Sequence, residues 1–296
     1  MPDTFLSFLL LEALQPVDTA RYSARLREKL QPLGLEVQVR GGEDDGDPFI
    51  VQAGPIRFSV LFIDKPVPAG TLDNAIAGSR TWPDAATALA KSRAHAIVAC
   101  MDEAGDHNMA LNYAAVLTLA AGALAEELPA IGVYWSTGQT VTEASRFIAA
   151  ANGILQKNLP LTVWARLLFL DGPPAEDGGR TTACVTTGLA PFVGREIEFM
   201  PASLDPSKIA QRVFGTMQYL LAQGPVLKDG ETLGVSEAER IRIRHADQGY
   251  HPGVPVLQLF LENLDNAGAA PSTSAGQSPR QSALAAKRPF GKRGTN

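Results

Sequence analysis

The sequence predicts a mixed α/β (α+β) fold in which strand-rich N- and C-terminal regions flank a helical middle and helices cover the sheet. Three observations carry this expectation. Short apolar runs, some alternating with period two, cluster before residue 64 and after residue 162, while helical periodicity with capping residues dominates between them. Apolar residues make up 45% of the 296-residue chain against 19% charged, enough to bury a core without disulfides or a structural metal.

Taken in order, Phe5 to Leu11 is a continuous apolar run that reads as a strand, without the cationic start or small-residue cleavage site of a signal peptide. Asp18 suits the cap of a helix reaching Leu30, because Tyr22, Leu26 and Leu30 recur at four-residue spacing on one face. Pro32 and Gly34 end it. Leu35 to Arg40 alternates, Gly41 to Asp47 is a Gly/Asp turn, and Phe49–Ala53 and Ile56–Ile63 are strands joined at Gly54-Pro55, together a meander. Pro83 and Asp84 fit the first turn of a helix running to about Lys91. Ala94 to Met101 is a buried strand, Asp106 caps a long apolar helix, Ala130 to Trp135 is a strand, and Val141 to Ala151 a helix stopped at Gly153. This alternation predicts crossover connections and a locally parallel sheet.

The second strand-rich stretch comprises Val163–Leu170, Thr181–Thr186 and Glu196–Met200, with a Gly/Pro-rich loop over 171–179. Asp205-Pro206 opens a helix whose Ile209, Val213, Met217 and Leu220 form one stripe, and Gly224-Pro225 closes it. Arg240–Arg244 and Pro255–Leu261 complete the strands. No stretch has linker composition, so residues 1–262 are expected to form a single compact body, with two intimate subdomains, 1–155 and 160–262, as the alternative. Residues 263–296 are expected to be a disordered basic tail.

Charge and cysteine content narrow the functional classes. The net charge is -5, but the tail from 266 holds five of the 26 basic residues and none of the 31 acids, leaving 21 basic against 31 acidic residues, a net of -10, on 1–265. An acidic body favours a basic protein surface as partner over direct nucleic-acid binding. Cys100 and Cys184 lie in apolar runs, as small buried hydrophobes of a reducing compartment do. The apolar stretch Met109–Leu128 contains Asn112 and ends in Glu126-Glu127, so a buried helix is expected rather than a membrane span, with a cytoplasmic location.

The chain lacks a nucleophile elbow, a phosphate loop, a dinucleotide fingerprint and a His-Glu-x-x-His motif, and no catalytic residue, cofactor or metal is assigned. Two groupings hold metal-ligand residue types. Asp102, Glu103, Asp106 and His107 follow a strand and open a helix, where acids equally serve as dipole partners and caps. His245, Asp247 and His251 lie in and beside a Gly/Pro-bounded loop without a recognised metal spacing. The densest charge cluster is Glu43, Asp44, Asp45 and Asp47, read either as a solvated hairpin loop or as a patch that steers a basic partner. Trp82, Trp135, Phe192 and Tyr250 are candidate anchors for such a partner, and equally core residues or loop plugs.

Gly224-Pro-Val-Leu-Lys-Asp-Gly-Glu-Thr-Leu-Gly234, followed by Ile241-Arg-Ile-Arg244 and Val254-Pro-Val-Leu257, places a tight turn at Asp229-Gly230 and a release toward a paired strand at Gly234. This segment resembles the end of a family of bacterial proteins of unknown function that close with a helix, an Asp-Gly-x-Thr-x-Gly turn and a strand. The strands at 5–11 and 56–63 fit the same family, so the resemblance extends over about residues 1–262. Some members are immunity proteins of type VI secretion effectors, and the chain is similar to the kind that neutralises a DNase of the His-metal type. The resemblance implies a cytoplasmic α/β body, no enzyme activity and a cognate toxin as partner, held by occlusion of its active site or DNA groove. A metal-dependent enzyme using Asp102, Asp106 and His107, or an interaction module that is not an antitoxin, are the alternatives.

Overall fold

The computed structural model describes residues 4–44, 46–175, 177–234 and 239–263. Asp45 and the expected basic tail beyond residue 263 lie outside them. The fold is mixed α/β, and the chain divides into two compact units: one runs to Arg166 and includes Thr187–Phe192, and the other comprises Leu167–Thr186 and the residues from Val193 onward.

In the first unit the strands are β1 (Leu6–Leu11), β2 (Val37–Gly41), β3 (Phe49–Ala53), β4 (Ile56–Ile63), β5 (Ala94–Cys100), β6 (Ala130–Trp135) and β7 (Thr140–Glu143). The helices are α1 (Thr19–Leu30), α2 (Asp73–Ala77), α3 (Ala85–Leu89), α4 (His107–Glu127), α5 (Ala144–Ile154), α6 (Leu161–Trp164) and α7 (Ala190–Val193). The sheet order is β2-β3-β4-β5-β1-β6-β7, and every pairing in it is antiparallel.

The expected local parallel sheet is therefore corrected. β5, α4 and β6 do form a crossover that sets two strands in the same direction, but β1 occupies the slot between them and pairs antiparallel with both. Alternation along the chain reports the crossover and is silent about a strand inserted from elsewhere. The expected helix over 141–151 is also shifted. Thr140-Val-Thr is β-branched and returns through a tight turn, with Gln139 at positive φ, to pair with β6, so the helix starts only at Ala144. Likewise Val163 belongs to α6, and the strand expected from it begins at Arg166.

Helices lie on both faces. Asp18 caps α1 by accepting from Arg21 N–H, and Tyr22, Leu26 and Leu30 are fully buried. α1, α4 and α5 pack together, with α4 also resting on β1, β4 and β5. α4 has the length and hydropathy of a membrane span, and 72% of its most apolar window is buried inside the protein. On the opposite face Leu10, Tyr134 and Val141 meet Ala75 of α2 and Ala85 and Leu89 of α3. At one end of the sheet Phe5 packs on Trp135 and Phe192 with ring centroids 6.0 and 5.4 Å apart, and Trp164 stacks on Phe192 at 5.3 Å.

The second unit is built on β8 (Arg166–Asp171), β9 (Thr182–Thr187), β10 (Glu196–Ala202), β11 (Thr232–Gly234), β12 (Glu239–Ala246) and β13 (Val256–Asn263), in the order β11-β12-β13-β10-β9-β8. β10 and β13 run parallel. Helix α8 (Pro206–Gln223), capped by Asp205, buries Ile209, Val213, Met217 and Leu220 as one stripe and packs against β10.

Candidate functional site

The acidic loop is the tip of the β2–β3 hairpin. Gly41, Gly42 and Gly46 adopt positive φ, which lets a short loop reverse the chain. Asp47 N–H donates to Asp44 O at 3.1 Å and closes the turn. Glu43, Asp44 and Asp47 are all exposed. None has a cation within ion-pair distance among the described residues, so their charge is directed at solvent.

A second feature adjoins this loop. The face of the sheet opposite α1 and α4 is covered by α2 and α3 over β1, β6 and β7, whereas on β3 and β4 it carries side chains open to water. Ile50 pairs with Ser59, and Leu61 stands two residues further along β4 on the same face, toward the hairpin tip. These two apolar side chains are 41% and 38% exposed. Sequence reading missed them because Phe49-Ile-Val and Val60-Leu-Phe-Ile are apolar without interruption, and an unbroken run hides which residues face outward. The signal available was the pairing itself, since Phe49, Val51 and Val60 are buried on the other face and leave Ile50 and Leu61 outside.

The residues of the Asp102 grouping are drawn into separate structural tasks. Asp102 accepts from two nitrogens of the Arg57 guanidinium, Nε at 3.1 Å and Nη2 at 2.5 Å, and these hydrogen bonds hold its carboxyl below the ordinary range. Asp106 caps α4 by accepting from Met109 N–H at 2.9 Å. His107 Nδ1 donates to Phe192 O at 2.9 Å, and Glu103 is exposed. Among the described residues no group of three or more His, Cys, Asp or Glu is placed to hold a metal ion. Cys100, buried at the end of β5, has its thiol pushed up to about 12, mainly by burial and further by the Asp102 charge, so it is not a nucleophile at neutral pH.

In the second unit the residues of the closing motif are structural. Gly230 turns at positive φ, its N–H donates to Ile243 O at 2.9 Å, and Ile243 N–H returns to Glu231 O at 2.8 Å. Asp229 Oδ1 accepts from His245 N–H at 2.7 Å, and His245 Nε2 donates to Leu227 O at 2.9 Å. His251 Nε2 donates to Thr186 O at 3.0 Å. Beside it, Glu196 and Glu198 on β10 are 4% and 8% exposed. Thr186 Oγ1 donates to Glu196 at 2.5 Å, and Tyr250 N–H donates to Glu198 across Gly249, where any Cβ would meet that carboxylate. These buried acids, absent from the sequence reading, tie the β12–β13 loop to the sheet.

Of the four candidate anchors, Trp135 and Phe192 are core residues and Trp82 packs against the α2–α3 cluster over Gly132. Tyr250 is half exposed, with its ring edge against His251.

Residues 185–260 match a domain family of unknown function, DUF4261. That range holds the closing turn, helix and strands and is narrower than the 1–262 implied by resemblance. Neither the curated proteins nor the solved structures gave a match to this chain.

Proposed function

We propose that this chain is an immunity protein that binds a cognate toxin, a DNA-cleaving effector of type VI secretion, in the cytoplasm and blocks its active site or DNA groove. The observation that carries this reading is the juxtaposition at one end of the first sheet: an exposed acidic loop with Glu43, Asp44 and Asp47 beside the uncovered apolar pair Ile50 and Leu61. A nuclease must present a cationic groove to DNA phosphates. Carboxylates on the hairpin tip offer that groove the same charge as the phosphates, and charge complementarity accelerates encounter and excludes substrate. Lasting inhibition needs desolvated apolar contacts inside a charged rim, the role given to Ile50 and Leu61. The reading assigns no catalytic residue and no cofactor to the chain.

The test is to express the product of the adjacent gene in a sensitive bacterium with and without this protein, and to purify the pair. Rescue with a one-to-one complex is expected. The triple variant Glu43→Lys, Asp44→Lys, Asp47→Lys should slow association by about tenfold or more at low salt, because it replaces attraction by repulsion at the contact. Toxicity that the wild-type chain leaves unrelieved would sink the proposal.

A further inference from the structure

We propose that β2 is a self-association edge, pairing antiparallel with the β2 strand of a second copy so that two sheets become one. β2 is the outermost strand of its sheet. Gly54 N–H donates to Glu36 O, which fixes the direction of the ladder: the backbone groups of Gln38 and Arg40 point at β3, and those of Val37, Val39 and Gly41 point away from it. Of the outward carbonyls, Val37 O receives, among the described residues, the Arg27 guanidinium at 3.4 Å, a long contact that a neighbouring strand's N–H would replace. An open cleft of about 660 Å³ lined by Arg27, Glu28, Gln31, Leu35 and Val37 runs alongside the edge.

An unprotected edge normally carries a device against such pairing. Here the charges are arranged to favour one partner. Two-fold antiparallel pairing of outward residues allows only registers in which odd-numbered residues oppose odd-numbered ones. In the register centred on Gln38, Val37 exchanges backbone hydrogen bonds with Val39 of the second copy, and Glu36 stands opposite Arg40 on both sides of the axis. Glu36 and Arg40 are exposed on the same face, and neither has an ion-pair partner among the described residues. Moving the centre by one residue sets Arg40 against Gln38 and abolishes both ion pairs. The strand is thus complementary to itself in one register, and the occupant it fits is a second copy of this chain.

Sedimentation equilibrium of the full chain tests this. A reversible dimer is expected. Arg40→Glu places two acids opposite each other and should weaken it by about tenfold, and the exchanged variant Glu36→Arg/Arg40→Glu should restore it. Val39→Pro removes an N–H that β3 does not use, so the sheet keeps its hydrogen bonds while the edge is blocked and the variant should be monomeric. Unfolding midpoints near wild type for each variant would show that folding is retained. A monomer at every concentration overturns the proposal, as does a dimer indifferent to Val39→Pro or to the charge exchange.

Discussion

Glu126 and Glu127 end α4 with two negative charges, where the helix dipole already places partial negative charge and where acids on their own disfavour the helix end. α1 supplies the compensation. Arg25 bridges both carboxylates at 2.6 Å, Lys29 reaches Glu126 at 2.9 Å and Arg21 reaches Glu127 at 3.0 Å. Burial pushes the Glu126 carboxyl up, and hydrogen bonds from Lys29 and Arg25 more than reverse this, leaving it below its ordinary 4.5. A depressed folded value means that the contribution is present above pH 4.5 and is lost as pH falls through the folded value. Glu126→Gln should cost about 1–3 kcal/mol near neutrality, because Lys29 loses its charged partner and Arg25 keeps only Glu127. The difference from wild type should shrink in denaturant titrations below pH 4.5. Ser7 is the opposite case: its hydroxyl is fully buried in β1 with no hydrogen-bond partner among the described residues. Ser7→Ala removes an unsatisfied group at little loss of volume, so its unfolding midpoint should equal or exceed wild type, by up to about 1–2 kcal/mol. A clear loss would show that the hydroxyl has a hidden partner.

Among the elements, a tight backbone constraint lies where two glycines meet the α6 end. A Cβ on Gly138 or Gly188 would come 2.4 Å from Trp164 O, and Gly188 also holds φ +105°. Gly188→Ala should therefore destabilise the first unit by about 2–4 kcal/mol, read from chemical unfolding. Much of the element pattern was legible from apolar runs, helical spacing and caps: β3, β4 and β6 fall on the runs that mark them, and the stripes of α1 and α8 are buried as spaced. What was not legible depended on pairing across distance. β7 is too short for a period, and the direction of the sheet around β5 depends on a strand from the N-terminus. The acidic loop was visible as a charge run, whereas its apolar companions Ile50 and Leu61 became visible only once the buried face was assigned to their neighbours.

At the scale of the whole molecule, charge sets how a partner is met. Residues 1–265 carry 21 basic and 31 acidic residues, and the remaining five cations lie in the final stretch. Removing residues 266–296 takes the net charge from -5 to -10, so association with a cationic toxin should become faster and more salt-sensitive while dissociation changes little. Stopped-flow mixing across a salt series would detect this, and a slower association would contradict steering by the acidic body. The position of β1 has a consequence for how this chain comes to exist at all. β1 pairs with both β5 and β6, so its pairing is incomplete until residue 135 has emerged. During synthesis, Leu-Ser-Phe-Leu-Leu-Leu waits as an unpaired apolar segment. Refolding should accordingly be slow for a protein with this much helix, since β1, an interior strand, closes long loops to β5 and β6. A nascent chain halted before Trp135 would hold β1 paired along one edge only, against β5, and would be a substrate for chaperones and proteases.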